Sequence, residues 1–135
     1  MRRFLDTNIL IYADDADAGE KRHRAREVLH DAIESGEGVI STQALQEFFV
    51  VATGKLRIDP AIARRKIQLL AEMDLVRIDL DLILAAVDLH RLHGFSLWDA
   101  LIVRAAAMAG CGVLVTEDLQ HGQVIEGVRI ENPFL

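Results

Sequence analysis

The fold class of this chain can be read from residues 96–118, whose sequence is SLWDALIVRAAAMAGCGVLVTED. The segment Ser96–Ala109 is aliphatic on nearly all sides, which is typical of a buried helix, and serine is a good N-terminal cap. Gly110 ends the helix, and Val113–Thr116 has the short aliphatic run of a buried strand. A buried helix that leads directly into a buried strand predicts an α/β fold.

The rest of the chain repeats this alternation of short aliphatic runs with longer helical ones. The other predicted strands are Phe4–Leu5, Val39–Ile40, Val76–Ile78 and Val128–Ile130. The other predicted helices are a turn at Ile9–Tyr12, Glu20–Ser35, Ser41–Thr53, one beginning at Pro60, and Leu80–His93. This pattern predicts three α/β/α layers, with helices flanking a mainly parallel central sheet. We interpret residues 1–135 as a single domain.

Composition supports a folded domain and limits the classes of function. Hydrophobic residues make up 51% of the chain. The chain has 15 Lys and Arg residues against 21 Asp and Glu residues, which gives a formal net charge of −6. This excess of acid excludes a basic protein that coats nucleic acid, but not an enzyme with local basic strips.

Cysteine content and hydropathy indicate a cytoplasmic protein. Cys111 is the only cysteine, which excludes a disulfide framework and any multi-cysteine metal site. The arginines at positions 2 and 3 resemble an export signal, but Asp6, Thr7 and Asn8 interrupt the apolar stretch that should follow. No apolar run approaches 18 residues, so we expect no membrane-spanning segment.

Four acidic residues differ from the others because they are embedded in apolar sequence: Asp6, Glu47, Asp99 and Asp118. An ionised carboxylate in such surroundings is costly unless a partner or a metal ion compensates its charge. Asp6 and Asp118 each follow a predicted strand, whereas Asp99 and Glu47 lie near the starts of predicted helices. In a parallel sheet all these positions meet at one edge, so we expect the four carboxylates to share a crevice.

Few basic side chains lie near these acids in the sequence, so a hard cation is the expected compensator. Oxygen ligands without His or Cys indicate Mg²⁺, with Mn²⁺ as a second candidate. We also expect the helix start at Asp99 to lower the pKa of its carboxyl group.

Each acid also has a purely structural interpretation. Asp99 could form a capping box with Ser96, and Asp118 could cap a following turn. The remaining alternatives are an Asx-turn of Asp6 with Asn8 and an ion pair of Glu47 with Lys55 or Arg57. A shared site explains all four acids at once, whereas the alternatives need a separate reason for each.

Several runs along the whole chain resemble one family, the PIN-domain nucleases, and within it the VapC-type toxins of toxin–antitoxin pairs. The runs are FLDTNIL at 4–10, ISTQ at 40–43 leading to Glu47, SLWDALI at 96–102, LVTED at 114–118 and IENPF at 130–134. The resemblance implies a PIN-like fold and a metal-dependent endoribonuclease. It also implies that Asp6, Glu47, Asp99 and Asp118 form the catalytic centre.

The resemblance further divides the roles within this centre. Asp6, Asp99 and Asp118 are the expected metal ligands, and the Thr-x-Asp pattern assigns Asp118 rather than Glu117. The supporting polar positions are Asn8, Ser96 and Thr116. One or two Mg²⁺ ions would activate a water and stabilise charge on the scissile phosphate, without a histidine base.

The family also implies three partners: an RNA substrate, an antitoxin and a second copy of the chain. The segment Leu45–Ile58 with Ile62–Leu70 has more apolar residues than a buried helix face needs, and could form the protein-binding groove. Two basic strips are candidate RNA-binding sites or solvated helix faces, and their candidate residues are Arg22, Arg26, Arg64 and Arg65. We expect Trp98 to lie in the core, with stacking on a base as the alternative.

Two other classes of function are alternatives to the nuclease. Asp6 could be the phosphoacceptor of a phosphohydrolase or receiver domain, but the second aspartate of the former is replaced by Asn8. A receiver domain needs a late lysine, and no lysine follows Lys66. A non-catalytic RNA- or protein-binding module is the second alternative, and loss of one or more of the four acids would be its mark.

Overall fold

The structure, a computed structural model, describes residues 1–135 and contains six helices and six strands. The strands are β1 Arg3–Leu5, β2 Gly38–Ser41, β3 Asp74–Val76, β4 Val113–Val115, β5 Val124–Ile125 and β6 Val128–Glu131. The helices are α1 Thr7–Asp14, α2 Glu20–Ser35, α3 Thr42–Thr53, α4 Pro60–Leu70, α5 Leu80–His93 and α6 Leu97–Met108. None of these helices is long and apolar enough to cross a membrane.

All six strands belong to one sheet in the order β3-β2-β1-β4-β6-β5. Every neighbouring pair is parallel except β5 and β6, so the prediction of a mainly parallel sheet is confirmed. The central strand β1 pairs through Phe4 with Val39 of β2 and with Leu114 of β4. The order reverses around β1, and its carboxyl end is where such sheets form their crevices.

Alternate residues of the central strands face two separate hydrophobic cores. Leu5, Ile40 and Val115 pack in one core with residues from α1 to α4. Phe4 and its two neighbours in register pack in the other core with α5 and α6. This period-2 division places helices on both faces of the sheet and confirms the three-layer α/β/α architecture.

The helices start and stop close to the residues that capping chemistry predicts. The N-terminal caps whose side chains accept a backbone hydrogen bond are Asp6, Ser41, Asp59, Asp79 and Ser96. Gly36 and Gly94 end α2 and α5 in the left-handed conformation, with φ of 72° and 75°. The first helix, α1, extends to Asp14, beyond the single turn expected at Ile9–Tyr12.

At the edges of the sheet, one predicted strand was misplaced and one strand was not predicted. The third strand lies at Asp74–Val76 rather than Val76–Ile78, because Leu75 pairs with Ile40 and the Ile78 amide instead donates to the Thr42 hydroxyl. The short strand β5 was not predicted. It pairs with β6 through a turn in which Glu126 and Gly127 both have positive φ, which matches the twist of an antiparallel hairpin.

Candidate active site

A cavity of about 530 Å³ opens at the carboxyl edge of β1 and β4, between the starts of α1, α3 and α6. The predicted carboxylates that line it are Asp6, Glu47, Asp99 and Asp118. The topology thus brings together four acids that are up to 112 residues apart in the sequence. The structure therefore confirms the prediction that these four carboxylates share one crevice.

Asp6 is the most buried of the four, with 4% of its surface exposed. It caps α1 by accepting a hydrogen bond from the Thr7 amide at 2.6 Å, and it accepts a second from the Thr116 hydroxyl at 2.7 Å. The pKa of Asp6 is raised from 3.8 to about 6, chiefly because burial outweighs the lowering by these two hydrogen bonds. The nearby Asp118 and Glu47 carboxylates also contribute to this rise, so the charges of the acids influence one another.

Asn8 and Thr116, two predicted supporting residues, link Asp6 to Asp118. The Asn8 amide nitrogen is 3.3 Å from Asp6 Oδ2 and 3.2 Å from Asp118 Oδ2, and donates toward both. The Thr116 hydroxyl donates to Asp6 and accepts a hydrogen bond from the Asp118 backbone amide at 3.0 Å. The two carboxylates are therefore held side by side by neutral groups that leave their charges uncompensated.

Asp99 lies in the first turn of α6, where its backbone amide donates to the Ser96 hydroxyl at 3.1 Å. The capping contact exists, but it uses the backbone of Asp99 and leaves the carboxylate to line the cavity. Burial raises the pKa of Asp99, the Ser96 contact lowers it, and Asp118 and Glu47 raise it. The expectation of a lowered pKa was wrong, because burial and neighbouring negative charge outweigh the helix start.

Glu47 lies in the second turn of α3, and its Oε1 accepts a hydrogen bond from the side-chain amide of Gln43 at 2.8 Å. The alternative ion pair with Lys55 or Arg57 is not formed. Lys55 nevertheless lines the same cavity, and it is the only cationic side chain that does so. One lysine facing four carboxylates leaves the cavity strongly negative.

Glu117 has a different role from its neighbour Asp118. Its carboxylate accepts hydrogen bonds from the Tyr12 hydroxyl and from Lys21, the latter at 2.9 Å. Glu117 is not among the residues that line the cavity, whereas Asp118 is. The structure therefore brings Asp118, and not Glu117, to the other three acids.

The donor chemistry of the cavity fits a divalent cation such as Mg²⁺. Its charged ligand candidates are all carboxylates, and three further lining residues have a buried side-chain oxygen with no hydrogen-bond partner: Thr7, Asn8 and Gln43. The carboxylates are spread around the wall, and no three His, Cys, Asp or Glu side chains are close enough to hold an ion between them. Binding would therefore draw the acidic side chains inward or leave waters between them and the ion.

The residues considered for RNA contacts are Trp98 and four arginines, and they differ in their relation to the cavity. The prediction that Trp98 lies in the core was wrong. The residue is 63% exposed and lines the cavity. The buried face of α6 is formed instead by small and aliphatic residues such as Ala100 and Val103. The four candidate RNA-binding arginines do not line the cavity, and one of them, Arg26, donates to the Ala13 carbonyl at 2.8 Å.

Three polar residues that line the cavity were not predicted as site residues: Tyr12, Gln43 and Lys55. A usable signal existed for Gln43, which precedes Glu47 by four residues and so lies on the same helix face. No comparable signal existed for Lys55, because its position depends on how α3 ends against the cavity.

The comparisons with known proteins agree with this geometry. The sequence profile of the PIN domain matches residues 3–126. No curated protein shows significant sequence similarity to the chain.

Several solved structures are similar over nearly the whole chain. A chain of a toxin–antitoxin complex from Klebsiella pneumoniae is 24% identical, with a TM-score of 0.69 and 97% of each chain covered. VapC20 of Mycobacterium tuberculosis, a toxin that cleaves the sarcin–ricin loop, is 18% identical, with a TM-score of 0.70 and coverage of 94% of this chain and 98% of that one. DNA-bound VapBC from Salmonella typhimurium is 20% identical, with a TM-score of 0.67 and 98% of each chain covered. These likenesses establish a shared fold, and the domain match over residues 3–126 shows that the chain belongs to the PIN-domain family.

Proposed function

We propose that this PIN domain is a Mg²⁺-dependent endoribonuclease and the toxin of a VapC-type toxin–antitoxin pair. The observation that carries the proposal is the single cavity lined by Asp6, Glu47, Asp99 and Asp118. Neutral groups hold two of these acids side by side, and only one lysine faces them. A fold that concentrates unpaired carboxylates in this way needs a cation to offset their repulsion.

Asp6, Asp99 and Asp118 would hold the cation, and Mn²⁺ would serve as a substitute for Mg²⁺. A bound divalent cation lowers the pKa of a water molecule and stabilises the charge that develops on the scissile phosphate. Glu47 would orient the attacking water through the carboxylate oxygen that Gln43 does not occupy. Asn8 and Thr116 keep the Asp6 and Asp118 carboxylates in place, and Ser96 anchors the turn that presents Asp99.

The rim of the cavity offers two groups suited to RNA. Trp98 exposes most of its indole ring and could stack on a base, which is the usual way proteins hold unpaired RNA. Lys55 has no ion-pair partner, so its ammonium group is free to contact a phosphate next to the scissile bond. Arg22, Arg26, Arg64 and Arg65 stay the proposed contacts for phosphates farther along the strand.

An antitoxin and a second copy of the chain are the proposed protein partners. The α3–α4 segment exposes four large apolar side chains, namely Phe49, Val50, Ile62 and Leu69. Exposed apolar residues on adjacent helices are typical of a protein-binding surface. Two of the similar structures are toxin–antitoxin assemblies, which supports an antitoxin as one occupant.

The proposal is tested by cleavage of a panel of transfer, ribosomal and messenger RNAs in Mg²⁺. We expect cleavage to stop with EDTA and to fall at least about a hundredfold in Asp6→Asn and in Asp99→Asn, because each removes a charge that holds the cation. Asp31→Asn is the matched control, since Asp31 is exposed on α2 and is not among the residues that line the cavity. Activity that survives both active-site substitutions would defeat the assignment.

The phosphoacceptor alternative gains no support from the contacts of Asp6. Asn8 stands where a phosphohydrolase has its second aspartate, and its amide donates toward Asp6 and Asp118 instead of supplying an acid. Incubation with acetyl phosphate would distinguish the two functions, because a nuclease would not become phosphorylated.

A further inference from the structure

Gln43 carries a buried amide in the second residue of α3. It is 5% exposed, and its neighbours on the buried face of α3 are Ala44, Leu45 and Phe48. It also lines the cavity that contains the four acids. A primary amide at such a position is costly unless its polar atoms are hydrogen-bonded, so its contacts indicate why it is there.

The amide of Gln43 makes a single hydrogen bond, and that bond goes to Glu47. Its Nε2 donates to Glu47 Oε1 at 2.8 Å, across one turn of α3. Its own Oε1 is buried and has no partner within the protein. The donor end is therefore committed to the carboxylate, and the acceptor end has no partner that would hold the amide in another orientation.

Glu47 has no other side-chain partner than Gln43. No Lys, Arg or His forms an ion pair with it, and its Oε2 accepts no side-chain hydrogen bond. A neutral donor orients the carboxylate without cancelling its charge, which a lysine or arginine in the same place would do. The arrangement suits a carboxylate that must be held still and remain negative.

We infer that Gln43 is a positioning residue that holds Glu47 Oε1 and thereby directs Glu47 Oε2 toward the water shell of the divalent cation. This inference rests on the proposed function, because it assigns a role within the same metal site. Gln43 acts through Glu47, and contacts neither the RNA nor the ion. Groups that orient the ligands of a metal site commonly change metal affinity or activity by about tenfold or more when they are replaced.

The test compares Gln43→Met with Gln46→Met. Methionine has nearly the shape of glutamine and suits the apolar face of α3, but it has no N–H donor. Gln46 is next to Glu47, exposed, and absent from the cavity lining, so it is a matched control. We expect Gln43→Met to raise the Mn²⁺ dissociation constant about tenfold in the RNA-free protein, measured by electron paramagnetic resonance, and Gln46→Met to leave it unchanged.

A double-mutant cycle shows whether the effect passes through Glu47. In a Glu47→Gln background, Gln43→Met should no longer change the Mn²⁺ dissociation constant, because the carboxylate it orients is gone. If Gln43→Met weakens Mn²⁺ binding equally in both backgrounds, or leaves it unchanged in an otherwise wild-type chain, the inference is wrong. Circular dichroism would check that each variant is folded.

Kinetics and metal binding together separate this inference from the proposed function. In the active enzyme, Gln43→Met should lower kcat about tenfold and change KM for RNA less than twofold, because it alters the metal centre and not RNA contacts. A wild-type chain that binds Mn²⁺ but cleaves no RNA would refute the proposed function and still allow the affinity comparison to decide the role of Gln43. A wild-type chain that does not bind Mn²⁺ would refute both.

Discussion

At the scale of single residues, the most informative group is Asp6, because it is a buried carboxylate in the proposed cation site. Its hydrogen bonds from Thr7 and Thr116 reduce the cost of ionisation but do not abolish it, since its pKa remains raised to about 6. In the absence of metal, the folded chain therefore carries an electrostatic penalty at neutral pH. A bound divalent ion would offset this penalty, so the same unpaired charge would favour cation binding.

This penalty predicts a pH-dependent stability difference between the wild-type chain and Asp6→Asn. The pKa of Asp6 is higher in the folded state than its ordinary 3.8, so its contribution to stability is fully present below about pH 4 and is lost as pH rises through about 6. In EDTA we expect Asp6→Asn to exceed the wild-type chain in free energy of unfolding by up to about 3 kcal/mol at pH 7.5, with the difference vanishing near pH 4.

Urea denaturation at pH 4.0, 5.0, 6.0 and 7.5 would measure this difference. Subtracting the two stability curves removes the contributions of the other titrating groups. A pH-independent difference would show that burial of the charge is not what distinguishes the two chains. Addition of Mg²⁺ at pH 7.5 should stabilise the wild-type chain more than Asp6→Asn.

At the scale of elements, the site depends on helix starts. Asp6 is the N-terminal cap of α1, Glu47 lies in the second turn of α3, and Asp99 lies in the first turn of α6. The parallel sheet places all three helix starts at its carboxyl edge. The residues that cap these helices therefore also form or support the proposed site. Ser96 is the clearest example, because its hydroxyl caps the turn that carries Asp99.

Ser96→Ala should affect both stability and catalysis, because the Ser96 hydroxyl caps α6 at the amide of Asp99. We expect a loss of about 1 kcal/mol in the free energy of unfolding, as is usual for a removed N-terminal cap. RNA cleavage should also fall, since the first turn that carries Asp99 frays. Ser96→Thr keeps a capping hydroxyl and should retain most of the stability and most of the RNA cleavage. If Ser96→Ala changes neither the free energy of unfolding nor RNA cleavage, Ser96 does not have this role.

At the scale of the whole molecule, charge is distributed unevenly. The chain has a formal net charge of −6, and its cavity holds four carboxylates and one lysine. Arg64 and Arg65 are exposed on α4, away from this cavity lining. RNA would therefore be attracted by basic strips outside the cavity and repelled by its centre until a cation is bound.

Arg64→Ala combined with Arg65→Ala should weaken RNA binding and reduce its salt dependence. Each lost phosphate contact lowers the slope of log Kd against log salt by about 0.7 for single-stranded RNA, so two contacts lower it by about 1.4. The comparison is made in the Asp6→Asn background to prevent cleavage, with Arg91→Ala on α5 as the exposed control. An unchanged slope would assign Arg64 and Arg65 to a solvated helix face.

Much of the fold and the identity of the four acids could be predicted from sequence because both depend on local signals. Aliphatic runs, caps such as Asp79 and the glycines at 36 and 94 mark where elements begin and end within a few residues. The edges of the sheet were harder to predict. Strand β5 has two residues, too few for a period, and β3 is placed by its pairing with Ile40 rather than by its own composition.

The sequence by itself determined an α/β chain with four acids at the carboxyl edge of a parallel sheet, since periodicity and the alternation of strands with helices place residues to within a turn. Only the tertiary structure decided which atoms meet. It tied Asp6 to Thr116, which is 110 residues away, turned Glu117 toward Tyr12 and Lys21, left Lys55 unpaired and exposed Trp98. Hydrogen bonds and ion pairs require separations near 3 Å between distant parts of the chain, and no local pattern specifies a distance so short.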